Sequence, residues 1–242
     1  MAHRPPDITT VTFDADETLW AFGAAQRRAF ECVLTEMRAV LPAALDIDLD
    51  GLMRMQAAFI AAGDATASWE DRRLDAFRRT SSRLDTDDDD LARRFTETYL
   101  RVRYDSIELF DDVGPALSAL GRMYTLGLIS NGNTRASRCG LPGVFDFELY
   151  AEDHGGACKP DRRMFDAAAG AAGCALHELA HVGDSLATDV RGALAVGAAA
   201  VWLNRDGRPN ETDTIPTREI AGLDEAPAAL HELALARSGS RP

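Results

Sequence analysis

The chain has 242 residues, of which 46% are hydrophobic and 27% are charged, and its formal net charge is −13 at pH 7. That length can build one or two domains with a sizeable core. The negative charge disfavours non-specific binding to nucleic acid and to anionic membrane surfaces. No apolar run approaches the roughly 18 residues of a membrane span, and the short polar segment 1–7 does not have the pattern of a signal peptide. We therefore expect a cytoplasmic protein with no membrane or nucleic-acid partner.

The first predicted element is a short buried strand over residues 8–13. Two acids, Asp14 and Asp16, follow it, with Thr18 close behind. In open parallel α/β sheets, ligand sites form at the carboxyl ends of strands. Two acids at such an end indicate a cation, a covalent nucleophile, or both. The alternative is an acidic turn with no chemical role, since Asp is a common turn residue.

From Trp20 to about Glu108 the apolar spacing becomes helical, with four successive stripes and no strand pattern between them. Such stripes are typical of helices that face a core, and four in a row predict a small bundle inserted as a separate lobe. The acidic run 87–90 precedes the fourth stripe. Its position favours a helix N-terminal cap, because the oxygen-ligand spacing of a calcium loop is missing.

After about Leu109 strands and helices alternate, which predicts a doubly wound parallel sheet. The strand at 8–13 must join that sheet, because a lone strand cannot satisfy its buried backbone groups. The expected organisation is an α/β core of 7–19 and 109–236, a helical insertion of 20–108, and flexible termini 1–6 and 237–242. The predicted strands after the insertion are 124–130, 147–151, one ending at 183, 198–203 and an edge strand near 220–223, and the predicted helices are 113–123, about 159–172, 188–196 and 226–236.

Polar residues stand at four of these strand ends. Ser130 and Asn131 follow the second strand, Lys159 lies on the loop after the third, and Asp184 and Asp189 follow the fourth. Lys159 is the only lysine among the 26 basic residues of the chain. Because arginine fills the other basic positions, the surviving lysine suggests a site that needs a compact ammonium rather than a planar guanidinium.

These motifs resemble those of the haloacid dehalogenase superfamily. The pattern DxDxT stands at 14–18, the serine after a strand at Ser130, the lysine at Lys159, and GDxxxxD at 183–189. All four occur in the family's order, and the resemblance covers about residues 7–235. It implies a Rossmann-like core, with the helical insertion acting as a cap domain over the site.

The resemblance also implies a role for each motif residue. Asp14 would be the nucleophile that forms an aspartyl-phosphate, and Asp16 would be the general acid and then the general base. Mg²⁺ would be held by Asp14, the backbone carbonyl of Asp16, and Asp184. Ser130, the amide of Asn131 and Lys159 would hold the phosphoryl oxygens. Thr18 would brace the loop, and Asp189 would fix Lys159 or a metal-bound water.

The predicted function is therefore a Mg²⁺-dependent phosphatase for a small phosphorylated metabolite, a nucleotide monophosphate or a sugar phosphate, working as a monomer or homodimer. The alternatives are a 2-haloacid dehalogenase, a sugar-phosphate mutase and a non-enzymatic binding module. Asp16 discriminates against the dehalogenase, because halide leaves without a proton. The candidate substrate contacts in the insertion are Trp69, Arg72 and Arg73, whose alternative is one packing residue and two solvated arginines.

Overall fold

The computed structural model describes residues 8–64 and 66–239, with side chains as far as 235. The chain divides into two compact units, which are Met1–Trp20 with Leu109–Pro242 (the α/β unit) and Ala21–Glu108 (the helical unit). In chain order the elements are β1 (Thr10–Phe13), α1 (Phe22–Val40), α2 (Leu49–Ala61), α3 (Trp69–Arg83), α4 (Asp89–Asp105), α5 (Val113–Leu120), β2 (Thr125–Ser130), β3 (Phe147–Tyr150), α6 (Arg162–Ala172), β4 (Leu179–Gly183), α7 (Arg191–Ala195), β5 (Ala199–Leu203), β6 (Arg218–Ile220) and α8 (Ala226–Gly239).

The α/β unit is built on one six-stranded sheet with the order β3-β2-β1-β4-β5-β6, and every neighbouring pair of strands is parallel. The predicted α/β fold is therefore confirmed. β1 is buried along its whole length, as expected for a central strand of β-branched and aromatic residues. The strand order reverses between β1 and β4. That reversal opens a crevice at their carboxyl ends, where Asp14 and Asp184 begin the connecting loops.

The helical unit has its own apolar core, which is formed by α1 to α4. Phe30, Phe77 and Tyr99 contact one another there, with ring centroids 4.8 to 6.4 Å apart. Three of the helices begin at residues whose side chains cap them. One is Asp88, which accepts the backbone N–H groups of Asp90 and Leu91, so the predicted capping role of the acidic run is confirmed.

Several boundaries differ from the prediction, among them α5, which ends at Leu120 rather than 123, and α6, which begins at Arg162 rather than about 159. The edge strand is Arg218–Ile220 rather than 220–223, because Gly222 starts a turn. In addition, the polar residues of an edge strand weaken the alternation of polar and apolar residues from which strand limits are predicted. The helix predicted at 188–196 begins as a π-helical turn, Leu186–Val190. The last helix continues to Gly239. Residues 1–6 and 240–242, predicted to be flexible, lie outside the described residues. Within the described residues, no helix combines the length and the apolar composition that a membrane span requires.

Candidate active site

Lys159 lies between two carboxylates at the crevice between β1 and β4. Its Nζ donates to Asp14 Oδ1 at 2.5 Å and contacts Asp189 Oδ1 at 2.7 Å. The lysine side chain is 1% exposed and that of Asp189 is 2% exposed, so these charges have lost nearly all contact with water. Such a cluster persists only when each charge has a close opposite partner.

Burial and charge pairing shift the pKa values of Lys159, Asp189 and Asp14 in different directions. Burial alone would lower the pKa of Lys159, but Asp14 and Asp189 outweigh it and raise the pKa. Burial would raise the pKa of Asp189, but Lys159 and His181 lower it. Burial raises the pKa of Asp14, with Lys159 opposing the shift and Asp189 adding to it. Pairing thus favours the charged form of Asp189, while burial opposes ionisation of Asp14.

The turn after β4 places Asp189 beside the lysine. Ser185 begins a π-helical turn, and its backbone N–H donates to Asp189 Oδ2 at 3.0 Å. The Asp189 carboxylate lies against Gly183, at the end of β4. A Cβ on residue 183 would lie 2.4 Å from Asp189 Cγ, so only glycine admits this approach.

Carboxylate oxygens of Asp14, Asp184 and Asp189 lie within 4.8 Å of one another and could hold a metal ion. Both oxygens of Asp189 already accept hydrogen bonds, from Lys159 and from the Ser185 amide. Asp14 and Asp184 are therefore the better ligands. Burial raises the pKa of Asp184 to about 6, and the Asp189 charge adds to the shift. A hard divalent cation with oxygen preference fits this crowded set of anions, because it removes their mutual repulsion.

Asp16 is held by its surroundings in one orientation. The indole N–H of buried Trp20 donates to Asp16 Oδ1 at 2.7 Å. The other oxygen packs against Gly132, where a Cβ would lie 2.8 Å from Oδ2. The same Cβ would lie 3.4 Å from Ser130 Oγ, so Gly132 lies between the two predicted site residues and leaves room for both.

Asn131 supports Lys159 through its side chain. Asn131 Nδ2 donates to the Lys159 carbonyl at 3.0 Å, and the Lys159 N–H donates back to Asn131 Oδ1 at 2.7 Å. Ser130 Oγ accepts the Gly132 N–H at 3.0 Å. The β2 end thus fixes the loop that carries the lysine, a role that the motif pattern did not predict.

Thr18 holds the loop after β1 through its backbone. Its carbonyl accepts Arg205 Nη2 at 3.1 Å, while Arg205 also makes a bidentate pair with Asp112 at 2.7 and 2.9 Å. Within the residues that the structure describes, the buried Thr18 hydroxyl has no hydrogen-bond partner.

The three candidates in the insertion belong to α3 of the helical unit. The Arg72 guanidinium lies 4.3 Å from the Trp69 ring centroid. Arg73 is buried and donates to Gln56 Oε1 at 2.9 Å and to Tyr99 Oη at 3.4 Å. Arg73 is therefore a packed residue of the helical unit, and not the solvated arginine of the alternative prediction.

Sequence reasoning missed several neighbours of the site, namely Thr12, Trp20, Gly132 and His181. The signal for His181 was present, because a histidine inside an otherwise apolar strand needs a partner. The partners themselves come from other elements, so the sequence could not identify them.

Comparisons with known proteins agree with the fold and the motifs. A family model described as a haloacid dehalogenase-like hydrolase matches residues 8–197. The chain is 28% identical over 215 residues to the 5-amino-6-(5-phospho-D-ribitylamino)uracil phosphatase YigB of Escherichia coli (strain K12), with 87% of each chain covered. It is 29% identical over 240 residues to a glyceraldehyde 3-phosphate phosphatase of Methanopyrus kandleri, covering 94% of this chain and 99% of that one.

A solved structure of similar fold has a different described activity. The 2-haloacid dehalogenase from Pseudomonas syringae pv. Tomato DC3000 is 31% identical, with a TM-score of 0.78 over 93% of this chain and 99% of that one. The similarities therefore include phosphatases and a dehalogenase.

Proposed function

Because the chain belongs to the haloacid dehalogenase-like hydrolases, we propose that this hydrolase is a Mg²⁺-dependent phosphatase for a small phosphorylated metabolite. A nucleotide monophosphate and a sugar phosphate are the proposed substrate classes. The observation that carries the proposal is the oriented carboxylate of Asp16, two residues after Asp14, because a phosphoester leaving group needs a proton.

In the proposed reaction a carboxylate oxygen of Asp14 attacks phosphorus, and the bond from phosphorus to the leaving oxygen breaks. Asp16 gives its proton to that oxygen. It then takes a proton from the water that hydrolyses the aspartyl-phosphate, which releases phosphate and restores the Asp14 carboxylate. Ser130, the Asn131 amide and Lys159 hold the phosphoryl oxygens in this scheme.

Asp14, the Asp16 carbonyl and Asp184 are the proposed ligands of Mg²⁺. When bound, the ion supplies positive charge that offsets the repulsion between the anionic nucleophile and the anionic substrate. Asp189 stays with Lys159 in this proposal, since its oxygens already accept from Lys159 and from the Ser185 N–H.

A second candidate is a 2-haloacid dehalogenase, which the similarity to the Pseudomonas syringae enzyme favours. An aspartate nucleophile serves both reactions. A halide, however, leaves without a proton, and Asp16 would then have no chemical task. Its hydrogen bond from Trp20 and the space left by Gly132 support the phosphatase.

The helical unit is proposed to contribute to substrate selection. Trp69 and Arg72 are the candidates, because both are partly exposed and the guanidinium stacks on the indole ring, with Nη2 donating to the Ile60 carbonyl at 3.1 Å. Arg73 is a weaker candidate, since it already donates to Gln56 and Tyr99.

The test measures phosphate release from p-nitrophenyl phosphate and halide release from 2-chloropropionate by the same preparation. We expect phosphate release that requires Mg²⁺ and stops when EDTA is added. The folded Asp14→Asn variant is the control for contaminating phosphatases, and it should be inactive because an amide is a poor nucleophile. Halide release without phosphate release would instead establish the dehalogenase. A panel of phosphorylated metabolites then identifies the substrate class.

A further inference from the structure

His181 contacts the buried group formed by Asp14, Lys159 and Asp189. His181 Nε2 lies 3.3 Å from Asp189 Oδ1, the same oxygen that Lys159 Nζ contacts at 2.7 Å. On the other side of the ring, Nδ1 lies 2.9 Å from Thr12 Oγ1. Thr12 and His181 are direct neighbours in the register of β1 and β4. From Thr12 the contacts therefore pass through His181 and Asp189 to Lys159. Lys159 contacts Asp14, which follows Thr12 by two residues in the chain.

The carboxylate that faces Nε2 indicates which ring nitrogen carries the proton. Asp189 is an anion that only accepts, so the nitrogen facing it must be the donor. Nε2 is then protonated, which leaves Nδ1 as an acceptor for the Thr12 hydroxyl at 2.9 Å, and the Ala180 carbonyl at 3.3 Å is the other acceptor within reach of that hydroxyl. The opposite tautomer would point the Nε2 lone pair at a carboxylate. Burial and the neighbouring Lys159 lower the pKa of His181, so the doubly protonated ring is disfavoured as well.

This donor matters because Lys159 has two partners. Resting on the proposed function, Lys159 must donate to a phosphoryl oxygen during turnover while Asp189 remains almost fully buried. The Ser185 N–H holds Oδ2 at 3.0 Å, and His181 holds Oδ1. Each oxygen of Asp189 therefore has a donor other than the lysine. The carboxylate keeps its orientation when Lys159 turns toward substrate.

We propose that His181 is a positioning residue that acts as a neutral Nε2–H donor to Asp189. Phe165 of α6 fixes the ring plane, since its own ring meets the imidazole edge-on at 89° with centroids 5.5 Å apart. A purely structural histidine would need only its volume in this space. A positioning histidine needs its donor toward Asp189.

Two amide variants separate these roles. In His181→Gln the side-chain NH₂ reaches the position of Nε2 and can still donate to Asp189. In His181→Asn the shorter amide reaches only the position of Nδ1 and keeps the Thr12 contact. Both are neutral and polar and differ by one methylene, so the thermal midpoint reports a loss of packing and kcat reports the bond to Asp189. The exposed His177→Gln is the control for changes elsewhere near β4.

The experiment measures kcat and KM for p-nitrophenyl phosphate, with the thermal midpoint of each variant. We expect His181→Gln to stay close to the wild-type kcat, and His181→Asn to lose about 10- to 100-fold in kcat with little change in KM. Equal losses in both variants, or no loss in either, would overturn the proposal. The control should match the wild type.

A second measurement needs no activity. Nitrogen-15 spectra of histidine-labelled wild-type protein identify the ring tautomer, and the His181→Gln spectrum assigns the resonance. The proposal requires the Nε2–H form. A Nδ1–H or doubly protonated ring refutes it even when His181→Asn fails to fold. A wild type without phosphatase activity would refute the proposed function alone, because the tautomer is read independently.

Discussion

At the scale of single residues, the most specific prediction concerns Lys159. Lys159 occupies a space bounded by Asp14 and Asp189, with a side chain only 1% exposed. Lys159→Arg keeps the charge but adds a wide planar group whose donors cannot turn independently. We expect kcat to fall by about 10² or more, since loss of one preorganised donor costs about that much.

The reverse exchange Arg162→Lys is the matched control. Arg162 begins α6 close to Lys159 in sequence, but its side chain is 65% exposed and paired with Asp166. Surface pairs of this kind contribute little to stability, so kcat and the thermal midpoint should not change. A Lys159→Arg enzyme that retains more than about a tenth of the wild-type kcat would mean that charge alone suffices at this position.

At the scale of elements, the end of β4 depends on a glycine. Gly183→Ala places a methyl group 2.4 Å from Asp189 Cγ, which must move away from Lys159 and the Ser185 amide. We expect a loss of roughly 1–3 kcal/mol in the free energy of unfolding, typical of overpacking. A large drop in kcat should accompany it. Chemical denaturation and steady-state kinetics measure the two effects.

Gly170→Ala provides the comparison within the same unit. Gly170 lies in α6, and a Cβ there would meet no atom within 4 Å. Alanine in a helix interior is favoured over glycine by about 0.5–1 kcal/mol, so this variant should be slightly more stable and fully active. If both glycine variants behaved alike, the close approach at Gly183 would not constrain the turn.

At the scale of the whole molecule, the buried acids couple stability to pH and to a cation. The pKa of Asp184 is raised from 3.8 to about 6, and that of Asp14 is raised as well. An acid whose pKa is higher in the folded state than in the unfolded state contributes stability below pH 3.8, its unfolded pKa. That stability is lost as the pH rises through the folded-state pKa. Without a divalent cation, ionisation of these two groups should therefore make the thermal midpoint fall as the pH rises from about 5 to about 8.

Mg²⁺ should reverse this trend. Protons compete with the ion for both carboxylates, so the increase in thermal midpoint on adding Mg²⁺ should be larger at pH 8 than at pH 5. With Mg²⁺ at a hundred times its Kd, the increase at pH 8 should be on the order of 5 °C or more. Differential scanning calorimetry with EDTA as the reference tests this, and Asp184→Asn should remove most of the effect. An increase that does not depend on pH would place the ion elsewhere.

The sequence alone was sufficient for the fold class and the family resemblance. Strand and helix periodicity predicted the parallel sheet, because side-chain spacing is a local property. The motif residues stand directly after strands, and carboxyl ends of parallel strands share one edge. Proximity of Asp14, Lys159 and Asp184 therefore followed from topology. Edge-strand limits were less predictable, since polar residues there weaken the alternation.

Only the tertiary structure decided which groups bond to which. The Asn131 side chain pairs with the Lys159 backbone, Trp20 orients Asp16, and His181 contacts Asp189. None of these contacts follows from spacing along the chain, because each depends on loop conformation and side-chain rotamers. The raised pKa of Asp184 likewise comes from burial among other anions. Residue types and their order thus determined the chemistry available to this protein, while three-dimensional packing determined how each group is charged and oriented.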